Sequence, residues 1–129
     1  MRFRVFVKGR PRAVDPAIQE QICHIAREAL LNALRHSGAK SIEAEVDYVG
    51  RRLRVVVRDD GRGMDPRAAA GGRDTRRGLR LMRERADSVA AGLRIYSRPG
   101  AGTEVEISVP EQSAVIDHLK SSFSEPSPV

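Results

Sequence analysis

The chain has 129 residues, 40% apolar and 31% charged, enough for one domain around one core. A single cysteine, Cys23, excludes an internal disulfide and a cysteine metal cluster. The net charge of +6 favours anions, yet the basic residues are scattered and almost all Arg, and aromatics stand at 4% with no Trp, which is the pattern of a solvated surface and not of a nucleic-acid groove. No apolar run approaches the ~20 residues a membrane span needs. Residues 1–7 alternate where a signal peptide would be continuously apolar. A cytoplasmic domain without membrane contact of its own is expected, whether its parent protein is free or membrane-anchored.

Phe3, Val5 and Val7 alternate with Arg2, Arg4 and Lys8, which predicts a half-buried strand over residues 2–8. Asp15-Pro16 is a helix start, with an acid at the cap and proline at the first helical position. Ile18, Ile22, Ile25, Ala29 and Ala33 keep helical spacing to about His36, and Gly38 stops the helix. Cys23 and His24 read as a small core residue and an ordinary helix residue. Ile42, Ala44, Val46 and Tyr48 then alternate with Ser41, Glu43, Glu45 and Asp47. After a turn at Gly50-Arg51, Leu53, Val55 and Val57 share a face, so these two strands form a hairpin.

From Asp65 to Arg77 there is no periodicity. A structureless run at the ~12–15 residue limit for compact domains reads as a functional lid. A second helix is expected to open near Gly78, with Leu79, Met82, Ala86 and Val89 on one face and Gly92 at its end. Residues 93–97 and the alternating Val105, Ile107 and Val109 close the domain as a hairpin around Pro99-Gly100-Ala101-Gly102, ended by Pro110. Hairpins with alternating faces predict a mainly antiparallel sheet, wet on one side and covered by helices on the other, a two-layer α/β sandwich of the α+β class. The domain spans residues 1–110. In the tail, 111–129, Val115, Ile116 and Leu119 suit one short amphipathic helix, and the Ser- and Pro-rich end is expected to fray.

Two stretches carry chemistry. The run Leu53–Arg58 leads straight into Asp59-Asp60-Gly61-Arg62-Gly63-Met64-Asp65. A strand thus delivers two acids onto a turn whose glycines have no side chain to keep a ligand away. A fixed carboxylate followed by bare backbone suits a flat polar ring, although Asp-x-Gly-x-Gly also occurs in plain turns and calcium loops. On the long helix, Glu28 and Asn32 stand four apart and share a face with Arg35 and His36. Asn is a poor residue for a helix interior, because its amide competes with the backbone. A carboxamide oxygen suits Mg²⁺, a carboxylate one turn away can orient or deprotonate a nucleophile, and Arg35 can meet phosphate oxygens. The same spacing also describes the solvated face of any amphipathic helix. Arg76-Arg77-Gly78-Leu79 places glycine and basic side chains at an expected helix start, a setting that favours anions.

In order, Glu-x-x-x-Asn, Asp-x-Gly-x-Gly, a lid, Gly-Leu and Gly-x-Gly-Thr resemble the ATP-binding catalytic domain of sensor histidine kinases, in the wider superfamily with gyrase and MutL. Residues 27–39, 78–86 and 99–103 look like the motifs of the subfamily that works with NarL-type response regulators. The resemblance covers residues 2–110 and implies a Bergerat ATP-binding fold with a mixed, mainly antiparallel sheet. It implies that Asp59 accepts the adenine amine, that Gly61 and Gly63 admit the purine, and that Thr103 supports the adenine end. It further implies Mg²⁺ on Asn32, phosphate contact by Arg35, His36 beside the nucleotide, and Glu28 activating an acceptor imidazole or a water. Gly78 and Leu79 would close the lid end over the phosphates of ATP. Leu81 stands where this subfamily commonly has a second glycine.

The implied partners are a histidine-bearing dimerisation domain of the same parent protein and a response regulator. No acceptor-bearing hairpin precedes Phe3, and His24, His36 and His118 do not look like acceptors. The chain is therefore expected to be a fragment, or to act in trans, binding ATP as a monomer without autophosphorylating alone. Two other readings stand beside this one. The first is a nucleotide-binding regulatory module or anti-sigma-type serine kinase of the same fold, and the second is a basic interaction domain for an acidic partner or nucleic acid.

Overall fold

The computed structural model describes residues 1–36, 38–50, 52–63 and 73–110, with the side chains of His36 and of residues 73–76 left aside. The expected lid is described only from residue 73, and the tail 111–129 lies outside the described residues. The element order is β1 (Arg2–Gly9), α1 (Pro16–His36), β2 (Ser41–Val49), β3 (Arg52–Asp59), α2 (Arg73–Ser88), β4 (Gly92–Ser97) and β5 (Thr103–Val109).

The five strands form one sheet in the order β1-β2-β3-β5-β4. The β2–β3 and β4–β5 hairpins are antiparallel, as is the β3–β5 pair. The β1–β2 pair is parallel, because α1 carries the chain back over the sheet between them. Asp15 caps α1 as the sequence predicts: its Oδ1 accepts the Ala17 N–H at 2.9 Å. The helix then lays Ile18, Ile22, Ile25, Ala29 and Ala33 against Leu53, Val55 and Val57 of β3 and Val105, Ile107 and Val109 of β5. α2 adds Met82 and Ala86 from the side, over β4.

The structure corrects four expectations. β1 is not half-buried. Phe3, Val5 and Val7 are more than half exposed, although they stand beside Ile42, Ala44 and Val46 on the core side of the sheet. The physical reason is reach: α1 rests over β3 and β5, and the helix layer ends before the β1 edge. Cys23 is exposed and is not a core residue; it lies one helical step off the buried stripe. α2 opens at Arg73, five residues before Gly78, so the last part of the expected lid is helical. α2 also ends before Gly92. Ala90 takes the left-handed turn at φ 55°, and the Ala91 N–H reaches back to the Ala86 carbonyl at 2.9 Å, a cap geometry usually filled by glycine.

On the open face the strands alternate in sign. Arg4 and Lys8 of β1 face Glu43 and Glu45 of β2, which face Arg54 and Arg58 of β3, which face Glu104 and Glu106 of β5. Glu45 sits at the centre, buried, with Arg58 at 3.1 Å, Arg54 at 3.4 Å and Lys8 at 3.7 Å. Burial pushes its carboxyl pKa up, but the Arg58 hydrogen bond and the three positive charges outweigh burial and hold it below the ordinary carboxylate range. These cross-strand pairs favour this strand order on a face that carries no helix among the described residues.

A folded-state pKa below the unfolded one adds stability that is full above the ordinary carboxylate pKa and is lost as pH falls through the lowered value. Glu45→Gln is therefore expected to melt below wild type at pH 7, with the gap closing on acidification. Thermal melts at pH 7 and pH 3 measure it, and an equal gap at both would contradict the electrostatic account.

Candidate nucleotide-binding site

β3 carries Leu53, Val55, Val57 and Asp59 on one face, so alternation alone aims Asp59 toward the helix side at the strand's last position. There it pairs with Ile42 on one side and Thr103 on the other. Its Oδ1 accepts the Gly61 N–H at 2.8 Å, closing an Asx-turn, and the Thr103 N–H also bonds its carboxylate. Burial pushes the Asp59 pKa up; the two N–H groups pull it down, and Asp60 beside it adds to the rise, leaving it above the usual value. The carboxylate is thus held in place and poorly solvated, with acceptor capacity to spare.

The turn that follows is packed against the β4–β5 hairpin. Gly63 has φ 68°, and a Cβ there would lie 1.9 Å from the Arg98 carbonyl oxygen. Gly102 has φ 79°, and its Cβ would lie 2.2 Å from the Asp59 carbonyl oxygen. Only glycine fits either place. The Gly100 N–H bonds the Arg62 carbonyl and ties the two turns together. Thr103 meets Ser97 through their hydroxyls at 2.8 Å, and the Ser97 hydroxyl also donates to the Gly102 carbonyl at 3.1 Å. Asp59, Ser97 and Thr103 line a cleft of about 820 Å³ that runs around this end of the sheet to Arg58 and Glu104 of the open face.

The helical constellation lies at the same end. Gly38, two residues past α1, sits under the Arg62 guanidinium: a Cβ there would meet its nitrogen at 3.3 Å. Along α1, Glu28, Asn32 and Arg35 repeat at four and three, forming one flank of the helix beside the buried stripe. Glu28 and Asn32 are half-buried and Arg35 is exposed. This flank turns toward α2, because Glu28 fills the space a Gly78 side chain would take, its Oε2 falling 2.6 Å from the position of a Cβ.

Two roles expected of the second helix change. Only the first four N–H groups of a helix are free, and Gly78 is the sixth residue of α2, so it offers no free N–H to an anion. Its observed contribution is room for Glu28. Leu79 packs against the core cluster. Gly61 is buried beneath Asp59, and His36 closes α1 with its side chain outside the described residues. The structure thus brings Asp59, Gly61 and Thr103 into direct contact, packs Gly63 against Arg98 and Gly102, sets Glu28 against Gly78, and places Asn32 and Arg35 on the Glu28 flank.

Sequence reasoning gave Asp60, Arg62 and Ser97 no role. A second acid before a turn glycine was the available signal for Asp60, and the hydroxyl pair of Ser97 and Thr103 needs the hairpin register to be visible. Among the described residues no group of three His, Cys, Asp or Glu side chains stands ready to hold a metal. No described helix is long and apolar enough to cross a membrane.

Glu28 can swing only at its far end, whereas Ala in a helix interior is favoured over Gly by about 1 kcal/mol. Gly78→Ala is therefore expected to keep or slightly raise the melting temperature while displacing the Glu28 carboxylate. A melt with a crystal structure of the variant checks both, and a Glu28 found in its original place would contradict the contact.

The profile of the histidine kinase-, DNA gyrase B- and HSP90-like ATPase family matches residues 17–113. The chain is 35% identical over 104 residues to the nitrate/nitrite sensor protein NarX of Escherichia coli K12, an alignment that covers 80% of this chain and 17% of NarX. Among solved structures, the histidine kinase domain of the Erythrobacter litoralis EL346 blue-light activated histidine kinase superposes with a TM-score of 0.69 at 27% identity, over 86% of this chain and 56% of that one. The Acinetobacter baumannii histidine kinase AdeS shares the fold, with a TM-score of 0.67 at 15% identity over 85% of this chain and 54% of that one. The mixed, mainly antiparallel sheet with helices on one face is the Bergerat fold, and the chain belongs to the histidine kinase-, DNA gyrase B- and HSP90-like ATPase family.

Proposed function

We propose that this chain is the ATP-binding catalytic domain of a two-component sensor histidine kinase of the NarL-associated type. It binds Mg-ATP and passes the γ-phosphoryl group to a histidine on a separate dimerisation domain of its parent protein, from which a response regulator receives it. The observation that carries this reading is Asp59: a carboxylate pinned by two backbone N–H groups and partly desolvated, at the head of a turn whose Gly63, with Gly102 of the β4–β5 turn, lets the backbone pack closely beside it.

In this reading Asp59 accepts the adenine amine, with Gly61 and Gly63 beneath the purine and Thr103 beside it. A carboxylate in a poorly solvated place gains more from a donor than an exposed one does. Asn32 offers the hard amide oxygen for Mg²⁺, whose charge, when bound, neutralises the phosphates. With one protein ligand, such an ion would keep waters and substrate oxygens for its other positions. Arg35 is exposed on the same flank and free to follow a phosphate, with His36 next to it. Glu28, set against Gly78, holds a proton-accepting carboxylate on the side from which an acceptor imidazole would approach. Leu79, the seventh residue of α2 and anchored in the core, holds the first half of that helix near the phosphate end. Most of what phosphoryl transfer needs is placement and charge neutralisation, and these residues supply both.

Asp59 also sets a sign that can be measured. Its folded-state pKa lies above the unfolded one, so the ionised group takes stability away. The penalty is absent below the unfolded pKa, grows as pH rises through the raised value, and is full at pH 7. Asp59→Asn is expected to raise the melting temperature of nucleotide-free protein at pH 7 and to weaken an ATP analogue with Mg²⁺ about tenfold or more, the range of one hydrogen bond to a charged group. Calorimetry and thermal melts read the two effects. Glu28→Ala is expected to leave that affinity in place and to abolish transfer to the parent's histidine-bearing domain. Wild-type affinity in Asp59→Asn would overturn the reading.

A further inference from the structure

The acid next to Asp59 performs a different task. Asp60 Oδ1 accepts the Lys40 N–H at 2.8 Å and the Ser41 N–H at 2.9 Å, while the Asp60 N–H donates to the Ser41 carbonyl at 3.2 Å. The regular β2–β3 ladder ends at the rung Ile42–Asp59. One rung further, Ser41 and Asp60 would exchange two main-chain hydrogen bonds in a continuing antiparallel pair. One of the two is made, from the Asp60 N–H. In the other, the Asp60 carboxylate stands where its own carbonyl would have been. The side chain thereby lets the main chain leave the ladder toward Gly61 without stranding the Ser41 N–H.

Lys40 ends the short link that leaves α1, the helix carrying Asn32, Arg35 and His36, and Ser41 opens β2. The same link holds Gly38 under Arg62, and the Lys40 carbonyl accepts the Arg2 N–H at 2.8 Å, so β1 is moored there as well. The two ends of the site therefore sit on different elements, the Asp59 turn on β3 and the polar flank on α1, and beside the Gly38–Arg62 contact and the Asp60 N–H bond one carboxylate oxygen joins them at their junction.

We propose that Asp60 is a positioning residue that sets the separation between the adenine end of the site and its phosphate end. It acts through the Lys40 and Ser41 amides and does not touch the nucleotide. This inference rests on the nucleotide reading above, because it assigns the two ends by that reading.

The distinguishing consequence is a dependence on ligand length. A ligand that touches only the adenine end does not feel the separation, whereas one that spans both ends does. Asp60→Ala is expected to weaken an unhydrolysable ATP analogue with Mg²⁺ about five- to tenfold, the scale of one or two lost hydrogen bonds, and adenosine less than about twofold. Asp60→Asn, which keeps an acceptor oxygen of the same reach, is expected to restore the analogue to within about twofold. Amide hydrogen exchange adds a readout independent of nucleotide: exchange at Lys40 and Ser41 accelerates in Asp60→Ala and stays near wild type in Asp60→Asn.

The experiment is calorimetry with both ligands, plus residue-resolved exchange, on the full chain of wild type and the two variants. Equal losses for analogue and adenosine in Asp60→Ala, or an Asp60→Asn as impaired as Asp60→Ala, would overturn the proposal. If Asp60→Ala fails to fold, Asp60→Asn still decides, since analogue binding and amide exchange unlike wild type would contradict the acceptor role. Wild type that binds neither ligand sinks the nucleotide reading and this inference with it. Wild type that binds both, beside an Asp60→Ala that behaves identically, sinks this inference alone.

Discussion

The burial of one helical stripe organises the molecule. Ile18, Ile22, Ile25, Ala29 and Ala33 press α1 onto the central strands β3 and β5, and the polar flank of that helix takes its facing from this contact. Fully burying each isoleucine is worth roughly 1.5–3 kcal/mol, more than any single polar pair at the site supplies. The stripe also changes along its length, from three isoleucines to two alanines. Apolar filling thus thins toward the C-terminal half of α1, where Glu28, Asn32 and Arg35 run alongside it. A helix gripped firmly at one end can carry a polar flank at the other without loosening.

Against that rigid frame, the turn after β3 concentrates the unfavourable choices. A carboxylate is partly desolvated at Asp59 with another acid beside it, and backbone at Gly63, and at Gly102 of the β4–β5 turn packed on it, enters the left-handed region at contact distances that exclude a side chain. Each choice costs stability and is retained by its neighbours: the Gly61 and Thr103 amides on Asp59, the Lys40 and Ser41 amides on Asp60, and the Gly100 amide on Arg62. Such a concentration is what a preorganised binding site looks like when it is held ready for a ligand.

The two faces of the sheet solve different problems. The helix side is sealed by apolar packing over its centre and left open along β1, where Phe3, Val5 and Val7 continue the core pattern into solvent. The far side carries no helix among the described residues and uses alternating columns of arginine and carboxylate. Those pairs engage Arg4, Lys8, Arg54 and Arg58, four of the 23 basic residues, so a count of basic residues overstates what a polyanion would meet on this face. Net charge thus describes solubility and steering better than it describes a binding surface.

Read alone, the chain determined its helices, its hairpins and the order of its motifs, because period 3.6, period 2 and turn residues are local properties. The α1 boundaries and the β2–β3 and β4–β5 hairpins follow directly from Asp15-Pro16, Gly50 and Pro99 to Gly102. What depended on distant partners was not legible. The exposure of β1 is decided by how far α1 reaches across the sheet, and the start of α2 by residues without periodicity. The use of Gly78 as room for Glu28, and of Asp60 as a stand-in for its own carbonyl, exists only once a helix and a strand from separate parts of the chain have met. Sequence spacing places a side chain on a face, but a contact between two faces is made by packing, and packing is a property of the whole fold.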